Sequence, residues 1–451
     1  MWATGRAGPG NIEKMSRIPV KPEFGHEPEV IEFWKGLVRE ALARATPTPF
    51  YICSALPIAE RVAELDQALA YAGFDTGETR RPGKICCRHW LSCKTQPVAP
   101  LLRWWRGQGR PIEVVSDFEL RAALVEGFAP EEMLINGPAK HHWLARQELR
   151  GLSVNFDSPA ELAVLLPLAK KLDWRCGVRL NTNEEFDPEN SQWPTQFGFT
   201  AAAAVVALRK LKRAGVRVET VSFHLRSNLP SALVYQRALA EVSEVCRTAK
   251  FAPLMLDLGG GLPARQVLAP NGKILDGEFG LRAFAEVLRQ SAKQFPGLRE
   301  LWLENGRFLS ASSGVLVVKI LDVKERRDQR QLICDGGRTL NALTSLWEQH
   351  RIVSLPERTG AEAPTTVYGP TCMAFDRLAR ISLPRALRPG DHLVWLEAGA
   401  YHIPWETRFS HGHAAVLWHD ESGLQPARER QSFEDFWGQW AGKGVVSDWH
   451  R

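Results

Sequence analysis

Residues 153–172 have the sequence SVNFDSPAELAVLLPLAKKL, and this stretch decides the fold. Ser153 to Phe156, with Val154 and Phe156 apolar, predicts a short strand, and Pro159 to Leu172 has the apolar spacing of a helix. The same order of strand and helix recurs on both sides of this stretch. The full set of predicted strands is Lys84–Ser92, Ile112–Val115, Met133–Ile135, Ser153–Phe156, Gly177–Leu180, Val218–Phe223, Leu254–Leu258 and Glu300–Leu303.

These eight repeats predict an α/β fold with a (β/α)8 TIM barrel. A doubly wound open sheet is the alternative, because periodicity alone does not separate the two. Beyond Arg307 the pattern changes to strands without long helices between them. We therefore predict a second, mostly antiparallel β domain, built as a β-barrel or β-sandwich. Its predicted strands are Val315–Val323, Gln331–Cys334, His392–Glu397 and Ala414–Trp418.

The expected domain boundaries follow from this change. Residues 1–60 form an N-terminal segment that packs with the β domain. Residues 61–309 form the barrel, and residues 310–451 form the C-terminal β domain. A chain of 451 residues with 44% hydrophobic residues is long enough to bury more than one core.

Composition and charge exclude several classes of protein. A net charge of +6 is mild for this length and does not imply nucleic-acid binding. The chain has no apolar run long enough to cross a membrane, and its first residues lack a secretory signal core. The eight cysteines are scattered and the histidines lack ligand spacing, so no metal site is predicted. We expect a cytoplasmic protein with reduced thiols.

Several strand ends carry residues suited to catalysis. Lys94, in LSCKTQP, follows the first barrel strand. Burial there would favour its neutral, nucleophilic amine, although a solvent-exposed lysine is the commoner interpretation of such a residue. Gly259, Gly260 and Gly261 follow the seventh strand, where a glycine loop can approach a phosphate, or can be a simple turn.

Two further strand ends complete this group. His224 and Ser227 end the sixth strand, where a histidine is usually structural but can also pack against a cofactor ring. Glu304 and Arg307, in LENGR, follow the eighth strand. Such a pair is often a local ion pair, but the carboxylate could also face the nitrogen of a pyridine ring.

Taken together and in this order, the motifs resemble those of the alanine-racemase-type (fold type III) PLP-dependent decarboxylases, which include the diaminopimelate, ornithine and arginine enzymes. The resemblance extends from about Pro49 to about Gly412. It implies pyridoxal 5'-phosphate as cofactor, bound to Lys94 as a Schiff base. It also implies that His224 lies on the ring, that Glu304 meets the pyridine nitrogen, and that Arg179 lies near the ring. The phosphate would be held by Ser227, Gly259, Gly260, Gly261, Arg307 and Tyr401.

The resemblance also implies a homodimer with active sites at the interface. Cys372 matches the proton-donating cysteine that reaches the partner's site. We place Met373, Asp376 and Trp347 at the substrate end. Met373 stands where the family has an acidic residue, and Leu343 and Trp347 stand where diaminopimelate decarboxylases carry an arginine and a tyrosine. Loss of these partners predicts a substrate other than diaminopimelate, bulkier or less cationic than ornithine or lysine.

The expected function is therefore the decarboxylation of an amino acid, or of an amino-acid-derived intermediate, to an amine and CO2. One alternative is an amino-acid racemase on the same scaffold. The resemblance disfavours it, because such racemases place an arginine at the pyridine nitrogen instead of a carboxylate like Glu304. The other alternative is a non-catalytic homologue that acts as a binding protein.

Overall fold

The computed structural model describes residues 27–77, 81–186, 192–269, 274–275, 279–326, 329–342 and 344–441. The strands are β1 (Phe50–Ser54), β2 (Cys86–Ser92), β3 (Ile112–Val114), β4 (Met133–Ile135), β5 (Ser153–Phe156), β6 (Arg175–Leu180), β7 (Arg217–Phe223), β8 (Met255–Asp257), β9 (Glu300–Asn305), β10 (Gly314–Arg326), β11 (Gln329–Cys334), β12 (Ile352–Leu355), β13 (Glu362–Tyr368), β14 (Arg377–Pro384), β15 (His392–Trp395), β16 (Ala415–Asp420) and β17 (Gly423–Arg428).

The helices lie mostly in the first two thirds of the chain. They are α1 (Pro28–Ala43), α2 (Ala55–Tyr71), α3 (Ala99–Gly107), α4 (Asp117–Val125), α5 (His141–Leu144), α6 (Pro159–Lys171), α7 (Ala201–Ala214), α8 (Leu233–Ala249), α9 (Leu281–Ala292), α10 (Arg307–Ser310), α11 (Thr344–Trp347) and α12 (Phe433–Gly438). No helix in the described part of the chain is both long enough and apolar enough to cross a bilayer.

Strands β2 to β9 form a closed parallel barrel in which β2 pairs with both β3 and β9. Each strand is followed by a helix, so every strand ends at the same rim of the barrel. The predicted TIM barrel is confirmed, and the open doubly wound sheet is wrong. Closure explains why most strand residues are buried: helices cover the outer face of the strands and neighbouring side chains fill the interior.

The second sheet has nine strands in the path β14-β13-β11-β10-β1-β16-β17, with β15 pairing β10 and β12. Most pairs are antiparallel, as predicted, but β1 runs parallel to β16 and β11 runs parallel to β13. Strand β1 thus lies in the middle of the sheet, although it comes before the barrel in the chain. Strands β12, β13, β14 and β17 were not predicted. Three of them contain a proline (Pro364, Pro384 and Pro426), which weakens a strand pattern.

Helix α1 covers the outer face of this sheet. Its buried residues Trp34 and Val38 lie in one cluster with Phe50 of β1 and Val317 of β10. The other face of the sheet joins the main core, which continues into the barrel. Residues that follow β15 therefore pack at the rim of the barrel. Tyr401 shows this, because its backbone N–H donates to the carbonyl oxygen of Thr95 at 2.9 Å.

Candidate active site

Lys94 lies in a single 3-10 turn, Cys93–Thr95, directly after β2. Its Nζ donates to both oxygens of Glu113, at distances of 2.9 and 2.6 Å. Burial by itself would lower the pKa of Lys94. The carboxylates of Glu113 and Glu304 outweigh burial and hold that pKa above its usual value. The expectation of a neutral amine was therefore wrong for this arrangement, because a buried carboxylate faces the ammonium.

Glu304 is the residue before the last in β9 and is buried. Asn136 donates to one oxygen of Glu304 at 2.5 Å. The amide oxygen of Asn136 accepts from Asn155 at 3.0 Å, and Asn155 also donates to Asp257 at 2.6 Å. The side chains of four strand ends are thus joined in one hydrogen-bonded network. This network fixes the position of the Glu304 carboxylate.

The pKa values of the two carboxyl groups in the network are shifted in opposite directions. Burial and the neighbouring Glu304 raise the pKa of Asp257 well above its usual value. Burial would also raise the pKa of Glu304, but the neighbouring His224 ring and the charge of Lys94 lower it. The surroundings therefore favour the neutral form of Asp257 and the ionised form of Glu304. An ionised carboxylate here can keep a ring nitrogen protonated.

His224 follows β7 and lies between Glu304 and the glycine loop. Its Nδ1 accepts from the backbone N–H of Gly260 at 3.1 Å and lies 3.9 Å from a Glu304 oxygen. Gly259 has a φ of +61°, and a Cβ on it would lie 2.6 Å from the carbonyl oxygen of Phe223. Glycine is therefore required at Gly259 both by conformation and by space.

The glycine loop also determines where the segment of Ser227 lies. Leu229 donates from its backbone N–H to the carbonyl oxygen of Gly261 at 3.0 Å. Ser227 itself is exposed beside this contact. The loops after β7 and β8 therefore meet, and Ser227 lies at the same rim as the glycines.

Arg307 begins α10 and is 8% exposed. Its Nη1 donates to Glu348, and its guanidinium lies 4.8 Å from the ring centre of Tyr401. Its Nε is buried and has no hydrogen-bond partner among the residues that the structure describes. An unsatisfied buried cationic donor at this rim, together with a glycine loop that has no room for side chains, fits a phosphate group. The residues present thus suit the expected phosphorylated cofactor.

Arg179 ends β6 and is also held by acidic partners. Its Nη2 donates to Glu185 at 2.7 Å, and its Nη1 lies 3.9 Å from Asp157. Its guanidinium stacks over Phe197 at 4.5 Å. The side chain is thereby fixed at the rim, one strand away from His224.

Three aromatic side chains, Tyr401, Trp405 and Trp347, form what we name the aromatic row, which extends from Arg307 toward solvent. Tyr401 stacks on Trp405 with ring centres 5.2 Å apart, and Trp347 meets Trp405 edge-on at the same separation. Trp347 is 45% exposed. The row therefore forms an apolar wall beside the mouth of the barrel, and sequence analysis had missed Trp405.

The remaining predicted residues lie apart from Lys94 within one chain. Cys372 is exposed, while the other cysteines in the described part of the chain are buried. No contact recorded among the described residues joins Cys372 or Met373 to the Lys94 cluster. Asp376 is buried, and its oxygens accept from Thr371 Oγ1 and the backbone N–H of Arg338, both at 2.6 Å. These bonds hold two loops of the β domain. Leu343 lies outside the described residues.

Six residues of the site were given no role from sequence. Each is a polar or aromatic residue whose partner is distant in the chain. A single carboxylate or amide inside an apolar strand, such as Glu113 in PIEVV, was the available signal. They are Glu113, Asn136, Asn155, Asp257, Glu348 and Trp405.

Comparison with known proteins agrees with this geometry. Residues 89–311 match the family model described as the pyridoxal-binding domain of pyridoxal-dependent decarboxylases. The match includes Lys94, His224, the glycine loop and Arg307, whereas Tyr401 lies beyond it.

Curated relatives and solved structures cover most of the chain. A diaminopimelate decarboxylase of Zymomonas mobilis is 26% identical over 86% of this chain and 91% of its own length. A lysine/ornithine decarboxylase of Selenomonas ruminantium is 25% identical over 82% of this chain and 89% of its own length. The crystal structure of diaminopimelate decarboxylase from Helicobacter pylori, complexed with L-lysine, is 21% identical. It superposes with a TM-score of 0.75, covering 89% of this chain and 99% of that one.

Proposed function

Because the chain belongs to the alanine-racemase-type (fold type III) family of PLP-dependent decarboxylases, whose cofactor is pyridoxal 5'-phosphate, we propose that it converts an amino acid to an amine and CO2. One observation carries the proposal. Glu304 is a buried, ionised carboxylate held by Asn136 at 2.5 Å beside Lys94 and His224. A carboxylate at this place favours loss of CO2, because it keeps the ring nitrogen protonated.

Bound PLP supplies a sink for the electron pair that the departing carboxylate leaves behind. Glu304 would hold a proton on the ring nitrogen, and His224 would pack on the ring face. Lys94 would hold the cofactor covalently, and the adjacent Glu113 would accept the proton that the Lys94 ammonium gives up. Arg307 and the glycine loop would hold the phosphate. Lys94, Glu304 and Arg307 would each act from a position set by a hydrogen-bonding partner.

The α-carbon must regain a proton after CO2 leaves. We propose that Cys372 of a second subunit delivers it, in a homodimer with both sites at the interface. Its exposure supports this assignment, since an exposed thiol in the β domain can reach a neighbouring subunit.

We further propose a substrate whose side chain has no distal charge. The aromatic row and the neutral Met373 support this, because neither offers a partner for a desolvated ammonium or carboxylate. Diaminopimelate is the second candidate. Similarity to diaminopimelate decarboxylases favours this substrate, and the aromatic row disfavours it.

The decisive experiment measures CO2 release and product identity across neutral, aromatic and basic amino acids, with diaminopimelate included. Wild type should form the amine and show an absorbance band from bound PLP. Lys94→Ala should lose both, while Lys171→Ala, at an exposed lysine, should keep them. Racemised substrate without CO2 would favour the racemase. A missing PLP band would favour the non-catalytic homologue, and prompt turnover of diaminopimelate would refute the substrate assignment.

A further inference from the structure

Glu348 is a buried carboxylate to which neither the sequence motifs nor the proposed reaction assigns a task. It is 3% exposed in its side chain and accepts from Nη1 of Arg307. Burial would raise its pKa, but the charge of Arg307 and the neighbouring His350 ring lower it to about 2. Glu348 is therefore ionised next to the arginine that faces the expected phosphate.

The backbone around Glu348 is anchored independently of Arg307. Gln349 and Leu268 exchange two backbone hydrogen bonds of 3.0 and 2.8 Å. His350 bonds the carbonyl oxygen of Leu396 through Nδ1 at 2.9 Å, and the Glu348 N–H bonds Thr344 at 2.9 Å. The carboxylate is thus a fixed point to which the arginine attaches.

The contacts of Arg307 leave one edge of its guanidinium without a partner among the described residues. Glu348 holds Nη1 on one side and the Tyr401 ring lies against the guanidinium, whereas the buried Nε has no partner among the described residues. A guanidinium donates through a rigid planar fork, so fixing one nitrogen fixes the edge that remains. Without Glu348 the side chain could rotate, and Nη1 would be left buried and unsatisfied.

We propose that Glu348 is a positioning residue for cofactor binding, which holds Arg307 through Nη1 and so presents the Nε edge of the guanidinium to the phosphate. The proposal rests on the cofactor of the family and is independent of which amino acid reacts. If Glu348 did not position Arg307, its negative charge would only repel the phosphate, and its removal would tighten PLP binding. The proposal predicts the opposite, weaker PLP binding, and can therefore be tested.

The test titrates cofactor-free, full-length protein with PLP and, separately, with pyridoxal, which lacks the phosphate. Binding is followed by absorbance, without turnover. Glu348→Ala should weaken PLP binding by about 10- to 100-fold, the range typical when the partner of a ligand-holding side chain is removed. Glu348→Asp keeps the charge, but its shorter side chain places the carboxylate oxygens farther from Arg307, so it should weaken PLP binding too. Glu348→Gln keeps an acceptor at the same reach and should retain most of the affinity.

Pyridoxal binding should be equal in all these variants. Asp391→Asn, which breaks the pairing of a buried carboxylate with Arg358 elsewhere in the β domain, is the matched control and should leave PLP affinity unchanged. Tighter or unaltered PLP binding in Glu348→Ala or Glu348→Asp would overturn the proposal. So would an equal loss for pyridoxal, or a loss in Glu348→Gln as large as in Glu348→Ala. If Glu348→Ala fails to fold, the Asp and Gln variants decide.

Discussion

The proposed cofactor end and the proposed substrate end of this site differ in burial and in how their side chains are held. At the cofactor end, Lys94, Glu304 and Arg307 are each held by a charged or amide partner, and most of these groups are buried. At the proposed substrate end, Trp347 is half exposed and Cys372 is exposed. The side chains of the first end have their partners within one chain, whereas we propose that a second subunit completes the other end.

This difference determines how well each end tolerates substitution. A buried polar group that loses its partner keeps the full cost of desolvation, so a change in the network disturbs several residues at once. An exposed aromatic side chain can be replaced with little effect on its neighbours. Substrate choice can therefore change within this fold while the cofactor site remains.

The largest effect is expected from breaking the network at Glu304. Glu304→Gln should lower kcat for CO2 release by about 100- to 1,000-fold, as is typical for loss of one charge-stabilising group. The PLP absorbance band should persist, because Lys94 and Arg307 are unchanged. Glu148→Gln, at an exposed carboxylate, serves as control. An unchanged kcat would show that the barrel network is not part of the chemistry.

The next effect tests whether the exposed end is completed by a second subunit. Cys372→Ala should reduce amine formation by about 100-fold or more, as expected for loss of a proton donor. Lys94→Ala should also be inactive, but a mixture of the two variants should regain activity, because one interface then holds both intact groups. Each variant alone at the same total concentration is the control. A mixture as inactive as its components would contradict the shared site.

A smaller effect is expected at the aromatic row. Trp405→Ala and Trp347→Ala should raise KM for the preferred substrate by about 10- to 100-fold, since apolar pocket contacts contribute about 1–3 kcal/mol. The PLP band should not change. Trp440→Ala, at a tryptophan that is 70% exposed in the C-terminal region, is the matched control. If KM stayed constant in both variants, the row would not contact the substrate.

The smallest effect concerns the free energy of unfolding at acidic pH, to which the buried His402 contributes. Burial lowers the pKa of His402 to about 3 from 6.5, so the folded protein keeps the ring neutral while the unfolded chain protonates it. Stability should be lost as the pH falls from 6.5 toward 3, with a slope of at most about 1.4 kcal/mol per pH unit from this group. His402→Gln should reduce that slope in urea unfolding, and His142→Gln, at an exposed ring, should not. If the free energy of unfolding fell with pH at the same slope in wild type and in His402→Gln, the assignment of this effect to His402 would be wrong.

The barrel was predictable because its strands are short, apolar and regularly followed by helices. Two of the predicted strands, Met133–Ile135 and Ser153–Phe156, have the observed bounds. In the second domain the signal is weaker, since strands such as Glu362–Tyr368 contain proline and alternate irregularly between polar and apolar residues. Pairing of that strand with β11 is parallel and long-range, and no local pattern encodes it.

The sequence by itself determined the α/β class, the glycine loop, and the residue types at the strand ends that point to PLP. These are local features, written in spacing and in the residue that follows each strand. Only the tertiary structure decided which groups meet. Lys94 faces Glu113, Glu304 shares a network with Asp257, and Arg307 is held by Glu348. Barrel closure brings distant strand ends within hydrogen-bonding distance, and the β domain supplies Glu348. The charge state of each buried group depends on the neighbour that the tertiary structure provides.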